Sequence, residues 1–264
     1  MDHALISRFA PLIRAWTPAE LEAEIADPRH LLLVSGAAGG RRIDVAYAPF
    51  EHLNADARIV IVGLTPGRQQ MGNALRELRR ALVAGASPDD ALAAAKIHAS
   101  FSGPMRTNLV DLLDAIGVAR LLGISSTATL WTTDTRLVHF TSALRNPVFI
   151  DGANYSGSPS MLTTPMLLDQ LRSGFAKEVA ALPNALFVPL GPKVSEAVEL
   201  LVREGMVKDE RLLSGLPHPS GANAERIAFF LGRKSRETLS NKVVPDLLDA
   251  ARHGLRSKVD ALTG

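Results

Sequence analysis

Residues 58–62 read Arg-Ile-Val-Ile-Val, an apolar run that stops abruptly at Gly63-Leu64-Thr65-Pro66-Gly67. A strand with one face in water alternates apolar and polar residues. An unbroken run instead suits a strand covered on both faces, as in a parallel sheet sandwiched by helices. Strand-like runs recur at residues 137–141 and 185–189, and helical stretches lie around them at about 74–83, 88–98, 107–116 and 192–204. This alternation predicts an α/β domain: a central, mostly parallel sheet flanked by helices.

The flanking segments read as additions to that core. Thr17-Pro18-Ala19-Glu20 combines an N-cap, a proline at the first helical position and an acid in the first turn, which predicts a helix over residues 18–26 ended by Asp27-Pro28. Two β-like runs, 30–35 and 41–47, are joined by Gly36-Ala37-Ala38-Gly39-Gly40 and read as a hairpin. That turn lacks the Gly-Lys-Ser/Thr ending of a phosphate loop and the spacing of a dinucleotide fingerprint. Residues 146–165 are rich in Asn, Gly, Ser and Pro and read as one long functional loop. Residues 244–262 read as a C-terminal helix, and the whole of 1–264 as a single domain.

Composition narrows the chemistry. Hydrophobic residues make up 47% of the chain, yet no apolar run is as long as a membrane span, so a soluble protein is expected. Asp2 and His3 stand where a secretory signal needs basic residues, which points to the cytoplasm. The absence of cysteine excludes disulfides, thiolate-bound zinc and cysteine-ligated iron–sulfur clusters. Lys and Arg total 29 against 27 acids, so net charge does not mark a nucleic-acid binder. Arg226, Arg233, Lys234, Arg236 and Lys242 form a mainly basic stretch, while acids gather at Glu20, Glu22, Glu24 and Asp27. A nucleic-acid patch and a solvated helix face both explain that stretch.

The basic stretch lies directly after Leu216-Pro217-His218-Pro219-Ser220-Gly221-Ala222-Asn223. Two prolines fix the backbone around one histidine, and Asn223 is a good N-cap for a helical run over residues 224–231. An imidazole at a helix start suits a phosphate or a developing anion. Taken with the Gly63–Gly67 turn and Phe101-Ser102-Gly103, this loop resembles the uracil-DNA glycosylase superfamily, most closely its family 4 branch. The matching motifs run in the same order over about residues 57–232: Gly63-Leu64-Thr65-Pro66-Gly67, then Phe101 ahead of Leu112-Leu113, then Leu190-Gly191, then His218-Pro219-Ser220.

The resemblance implies a uracil-DNA glycosylase-like fold and a metal-free, cofactor-free enzyme, acting as a monomer on DNA, that flips a base out and hydrolyses its glycosidic bond. Phe101 would stack on the base and His218 would stabilise the leaving anion. Gly63, Leu64, Ser142 and Asn146 would line the base pocket. Pro66, Gly67, Gln69, Lys193, Ser220, Gly221, Asn223 and Arg226 would contact DNA. The chain departs from the family pattern where a water-orienting acid or Asn is expected, since Leu64 and Thr65 stand there. Thr65 and Asp151 are the candidates for placing or activating water. Ser142 replaces the base-reading Asn and cannot supply an amide's paired donor and acceptor.

Two explanations of these departures stand open. One is a glycosylase for a bulkier base, such as a sugar-decorated cytosine of phage DNA, with a role in antiviral defence. The other is a non-catalytic sensor that binds DNA or a nucleotide. A serine hydrolase is disfavoured, because no Gly-x-Ser-x-Gly elbow is present.

Overall fold

The computed structural model describes residues 4–263; Asp2 and His3, read above as lacking a signal's basic start, lie outside them. The chain divides into two compact units. The first runs to Asn54 and includes Leu64–Ser100 and Phe140–Ala181; the second takes Ala55–Gly63, Phe101–His139 and everything from Leu182 onward. Both are built of α and β elements.

Numbered along the chain, the first unit contributes helices α1 (Ala4–Ala15), α2 (Pro18–Ala26), α3 (Arg68–Val83), α4 (Pro88–Ala99), α7 (Pro165–Ser173) and α8 (Phe175–Ala180). Its strands are β1 (Leu32–Ala38), β2 (Arg41–Ala46), β5 (Val148–Ile150) and β6 (Ala153–Asn154). The second unit contributes β3 (Ile59–Gly63), α5 (Pro104–Ala115), α6 (Val118–Leu122), β7 (Leu186–Pro189), α9 (Pro192–Arg203), α10 (Ala224–Phe230) and α11 (Pro245–Thr263). Strand β4 (Val138–Ser142) begins in the second unit and ends in the first.

In the first unit, α2 starts where the sequence places it, through a reciprocal cap. Thr17 Oγ1 accepts from Glu20 N at 3.2 Å, and the Glu20 carboxylate accepts from Thr17 N at 2.7 Å. The hairpin forms, but Gly36, Ala37 and Ala38 extend β1 rather than the turn. Gly39 and Gly40, at φ +57° and +76°, make a two-residue connection with Ala38 opposite Arg41, a geometry that requires positive φ at both positions.

Residues 146–165 are not one loop. Their apolar stretch Val148-Phe149-Ile150 pairs antiparallel with β2, Ile43 opposite Ile150, and β6 then pairs back on β5. The result is a four-stranded sheet of order β1-β2-β5-β6. Against this unit's strands and helices packs a core that includes Ile6, Phe9, Ile13, Tyr47, Leu75, Leu78 and Leu92, with Phe9 stacked on Tyr47 at 4.3 Å between centroids. Each such fully buried large side chain contributes about 1.5–3 kcal/mol.

In the second unit, β3 is buried along its whole length, as its unbroken apolar run requires. It pairs parallel with β7, Ile59 opposite Leu186 and Val62 opposite Pro189, within a sheet of order β4-β3-β7. On the far side of β7, Phe187 bridges Leu212 in parallel and Leu213 N donates to Phe187 O at 2.8 Å. The chain entering the His218 loop therefore runs alongside β7, and the loop lies at the carboxyl end of parallel strands. No helix among the described residues is long and apolar enough to cross a membrane.

Candidate functional site

The second unit builds its candidate site around His218. The Pro217-His218-Pro219 backbone is held from α5, where Asn108 Nδ2 donates to Pro219 O at 2.8 Å. The imidazole rests against the turn between β7 and α9, where Gly191 adopts φ +90° and a Cβ built on it would lie 3.4 Å from His218 Cβ. Glycine is needed there for its backbone conformation. Ser220 N donates to His218 Nδ1 at 3.2 Å, so Nδ1 is the acceptor and the proton of the neutral ring sits on Nε2. Among the described residues no group bonds Nε2. Burial pushes the imidazolium pKa below 6.5 and keeps the half-buried ring neutral at pH 7.

The rest of this loop differs from expectation. Residues Gly221–Asn223 form a 3-10 turn that leads directly into α10. Asn223, at φ −105° and ψ 16°, lacks the extended backbone of an N-cap and makes no cap bond. Its Nδ2 instead donates to Ser220 Oγ at 3.3 Å, and its Oδ1 accepts from Arg226 Nη1 at 3.2 Å. Arg226 also donates to Lys242 O at 2.7 Å, so its guanidinium braces the loop. Gly221 is exposed with open space around it.

The basic stretch is largely neutralised on site. Arg233 pairs with Asp111, Lys234 with Glu225, and Arg236 with Asp246 and Asp249. Lys193, exposed at the start of α9, pairs with Glu196 at 3.0 Å. Phe101 sits at φ +50°, a conformation that strains a bulky side chain, and is only 6% exposed. Its ring is thus a covered one, not the open platform the sequence suggests.

In the first unit the Thr65 loop is braced rather than open. Thr65 Oγ1 donates to Asn146 O at 3.0 Å and accepts from Val148 N at 3.2 Å, which ties the loop to the entry of β5. Leu64 O accepts from Leu144 N at 3.0 Å. Pro66 is buried. Helix α3 begins at Arg68, earlier than the sequence suggests, because Gly67 serves as its N-cap. Gly67 N donates to Gln70 Oε1 at 3.3 Å and Arg68 N to Asn154 Oδ1 at 2.9 Å. Those first amides, expected to face phosphate, are therefore occupied, while Gln69 is exposed.

Asp151 also has a structural task. Its carboxylate accepts from Arg42 N at 2.9 Å and pairs with Arg41 Nε at 2.9 Å. The Arg41 guanidinium, with the Arg42 amide, holds its pKa below the ordinary carboxylate range, which weakens it as a base. Asn146 differs: it is 8% exposed and, among the described residues, only its carbonyl is engaged, by Thr65. Its side-chain amide and the half-buried Ser142 hydroxyl are the polar groups that this unit has to offer.

A cluster of charged residues inside the first unit was missed. Glu178 accepts from Thr141 Oγ1 and lies 3.5 Å from Arg145 Nη1. Lys96, 2% exposed, donates from Nζ to His52 O at 2.6 Å. Glu51 accepts from Tyr47 Oη at 2.9 Å. Among the described residues, Glu51 Oε2, Arg145 Nε and Glu178 Oε1, all buried, take part in no hydrogen bond. Burial pushes Lys96 down to about 8, with Glu178 and Glu51 opposing the shift and Arg145 adding to it; burial likewise raises Glu51. A signal was present in the sequence. Ala91, Leu92, Ala95, Lys96 and Ala99 share the buried face of α4, so helical spacing alone puts a lysine on the core side.

No family model matches the chain, and no solved structure matches it. The chain is similar to the uncharacterized protein YoxB of Bacillus subtilis (strain 168), 35% identical over 204 residues that cover 76% of this chain and 79% of YoxB. At that identity and coverage, this chain belongs to the family of YoxB.

Proposed function

We propose that the protein is a DNA glycosylase that excises a modified pyrimidine, with His218 stabilising the departing base. Hydrolysis of an N-glycosidic bond breaks the bond from C1′ to the base nitrogen, puts negative charge on the base and adds water to the sugar carbon. A neutral imidazole whose Nε2–H is fixed as donor stabilises that charge without giving up its proton beforehand. The observation that carries the reading is the Ser220 N to His218 Nδ1 bond, which fixes this tautomer at the carboxyl end of parallel strands. Residue by residue, Ser142 and Asn146 are proposed to read the base edge; Phe101, being covered, is left without the stacking role. The short Ser142 side chain leaves room for a substituent on the base, which favours a modified base over uracil.

The test is mass-spectrometric detection of free base from DNAs containing uracil, hypoxanthine, hydroxymethylcytosine or glucosylated hydroxymethylcytosine. Wild-type protein is expected to release one of the modified cytosines, and His218→Ala to lose about 10²–10³ of the rate, the usual effect of removing one such donor. Release that survives in the variant would refute the role of His218.

A second reading, a sensor that binds without cleaving, is favoured by one observation: the Thr65 hydroxyl and the Asp151 carboxylate are both engaged in bracing. Binding to one of these DNAs with no base released from any would establish it in place of the first.

A further inference from the structure

The Glu178 carboxylate holds both ends of a short stretch of chain. One end is Thr141, in β4, whose Oγ1 donates to Glu178 Oε2. The other is Arg145, whose Nη1 lies 3.5 Å from Glu178 Oε1. One hydrogen bond, from Thr141, and one ion pair, with Arg145, thus tie residues 141–145 to the same carboxylate, whose Oε1 takes no hydrogen bond among the described residues. Ser142 lies inside that stretch and Asn146 directly follows it. The carboxylate comes from α8, on its buried side along with Phe175 and Val179, so the anchor does not move with the loop. Thr141 is 7% exposed and Glu178 5%, which keeps water from competing for the bonds.

A second anchor acts just beyond, where Thr65 Oγ1 donates to Asn146 O and accepts from Val148 N. The stretch from Thr141 to Val148 is therefore held at four residues, Thr141, Arg145, Asn146 and Val148. The side chains of Ser142 and Asn146 are left over as the groups with freedom to meet a ligand.

We infer that Glu178 is a positioning residue: by bridging Thr141 and Arg145 it sets the direction of Ser142 and Asn146, and so determines which base the site accepts. The assignment of base reading to Ser142 and Asn146 rests on the function proposed above; the clamp itself rests on the bonds alone. A segment tied at both ends to one buried carboxylate loses much of its angular freedom, and selectivity between similar ligands depends on such fixed direction more than overall affinity does. The clamp requires a hydroxyl at position 141 and a cation at 145. Neither requirement is met by shape alone, which makes the inference separable from simple core packing.

Thr141→Val keeps the volume and removes the hydroxyl, whereas Thr141→Ser keeps the hydroxyl and removes a methyl group. Two measurements are made on the full chain of wild type, both Thr141 variants and Glu178→Ala. The first is amide hydrogen exchange over residues 142–147. Exchange is expected to speed up about tenfold or more in Thr141→Val and Glu178→Ala while Thr141→Ser stays near wild type, with α3 and α4 unchanged in all. The second is the ratio of release rates for two bases of the panel. That ratio is expected to fall about tenfold in Thr141→Val and to be restored in Thr141→Ser.

Unchanged exchange in a folded Thr141→Val protein overturns the clamp, as does a selectivity ratio that falls equally in Thr141→Ser. Should Glu178→Ala fail to fold, the two Thr141 variants decide the matter. If no base is released by the wild type yet exchange responds as expected, the clamp stands and the base-excision reading fails. Base release with wild-type selectivity in every variant has the opposite meaning.

Discussion

At the scale of single residues, the chemistry of His218 depends on neighbours that do not react. The Ser220 amide selects the tautomer, the Asn108 amide holds the following carbonyl, and the Gly191 turn lies against the ring. Gly191→Ala would put a Cβ on a backbone at φ +90°, in ordinary contact with His218 Cβ at 3.4 Å and the ring Cδ2 at 3.6 Å. The strained backbone alone costs about 1–3 kcal/mol. Chemical denaturation should show a loss of that size. The same geometry sets a pH dependence. Protonating Nδ1 breaks its bond from Ser220, and burial already disfavours the charged ring, so the imidazolium forms only below pH 6.5. The rate of release should be level through neutral pH and fall on the acid side at a pH below 6.5. A fall centred above 6.5 would mean that another group controls the reaction.

At the scale of elements, Arg68 connects pieces that are distant in sequence. Its guanidinium donates to Ile25 O and Ala26 O at the end of α2 and to Gly152 O between β5 and β6, and it lies 4.2 Å over the Phe149 ring. A planar fork reaches these carbonyls together; an ammonium cannot. Arg68→Lys should therefore destabilise the first unit by about 2–3 kcal/mol, the range for losing charge-assisted bonds, as measured by urea unfolding. A loss under about 0.5 kcal/mol would mean that these bonds only replace equivalent ones to water. Such long-range ties explain which elements were legible. Local signals placed α2, the hairpin, β3, β7 and α9 correctly, because caps, glycine turns and unbroken apolar runs act over a few residues. By contrast β5 and β6 form only because β2 offers an open edge, and no local pattern announces that. The site divides the same way. The fixed loop around His218 was legible from its two prolines, while the fates of Thr65, Asp151 and Asn223 were decided by partners tens of residues away or by the dihedral angles of one turn.

At the scale of the whole molecule, the two units alternate along the chain, so that neither is a continuous stretch of sequence and the boundary falls inside β4. The chain carries one tryptophan in each unit, Trp16 in the first and Trp131 in the second. Replacing Trp131 by Phe leaves Trp16 to report on the unit that holds the buried cluster of Glu51, Lys96, Arg145 and Glu178. That cluster gives stability an unusual dependence on pH. Folding lowers the Lys96 pKa from 10.5 to about 8, so between those values the unfolded chain holds a proton that the folded one has released. The state that binds more protons is favoured at low pH; stability must therefore rise as pH increases from 8. Glu51 acts with the opposite sign in a lower window: its raised pKa makes the folded state hold a proton longer, and that contribution is lost as pH rises above 4.5 through the folded value. Tyr47, raised well above 10, would oppose the lysine only in strong alkali. The clean window is thus pH 8 to 9.5. Over it, urea unfolding followed through Trp16 should show stability increasing by on the order of 1–2 kcal/mol relative to a Lys96→Met protein, given about 1.4 kcal/mol per unit of pH for one proton. The difference between the two proteins, rather than either curve, is the quantity to read, since every other group is common to both. A flat difference across that window would show that Lys96 keeps its proton in the folded state, and that Glu178 and Glu51 neutralise it more completely than its burial disfavours it.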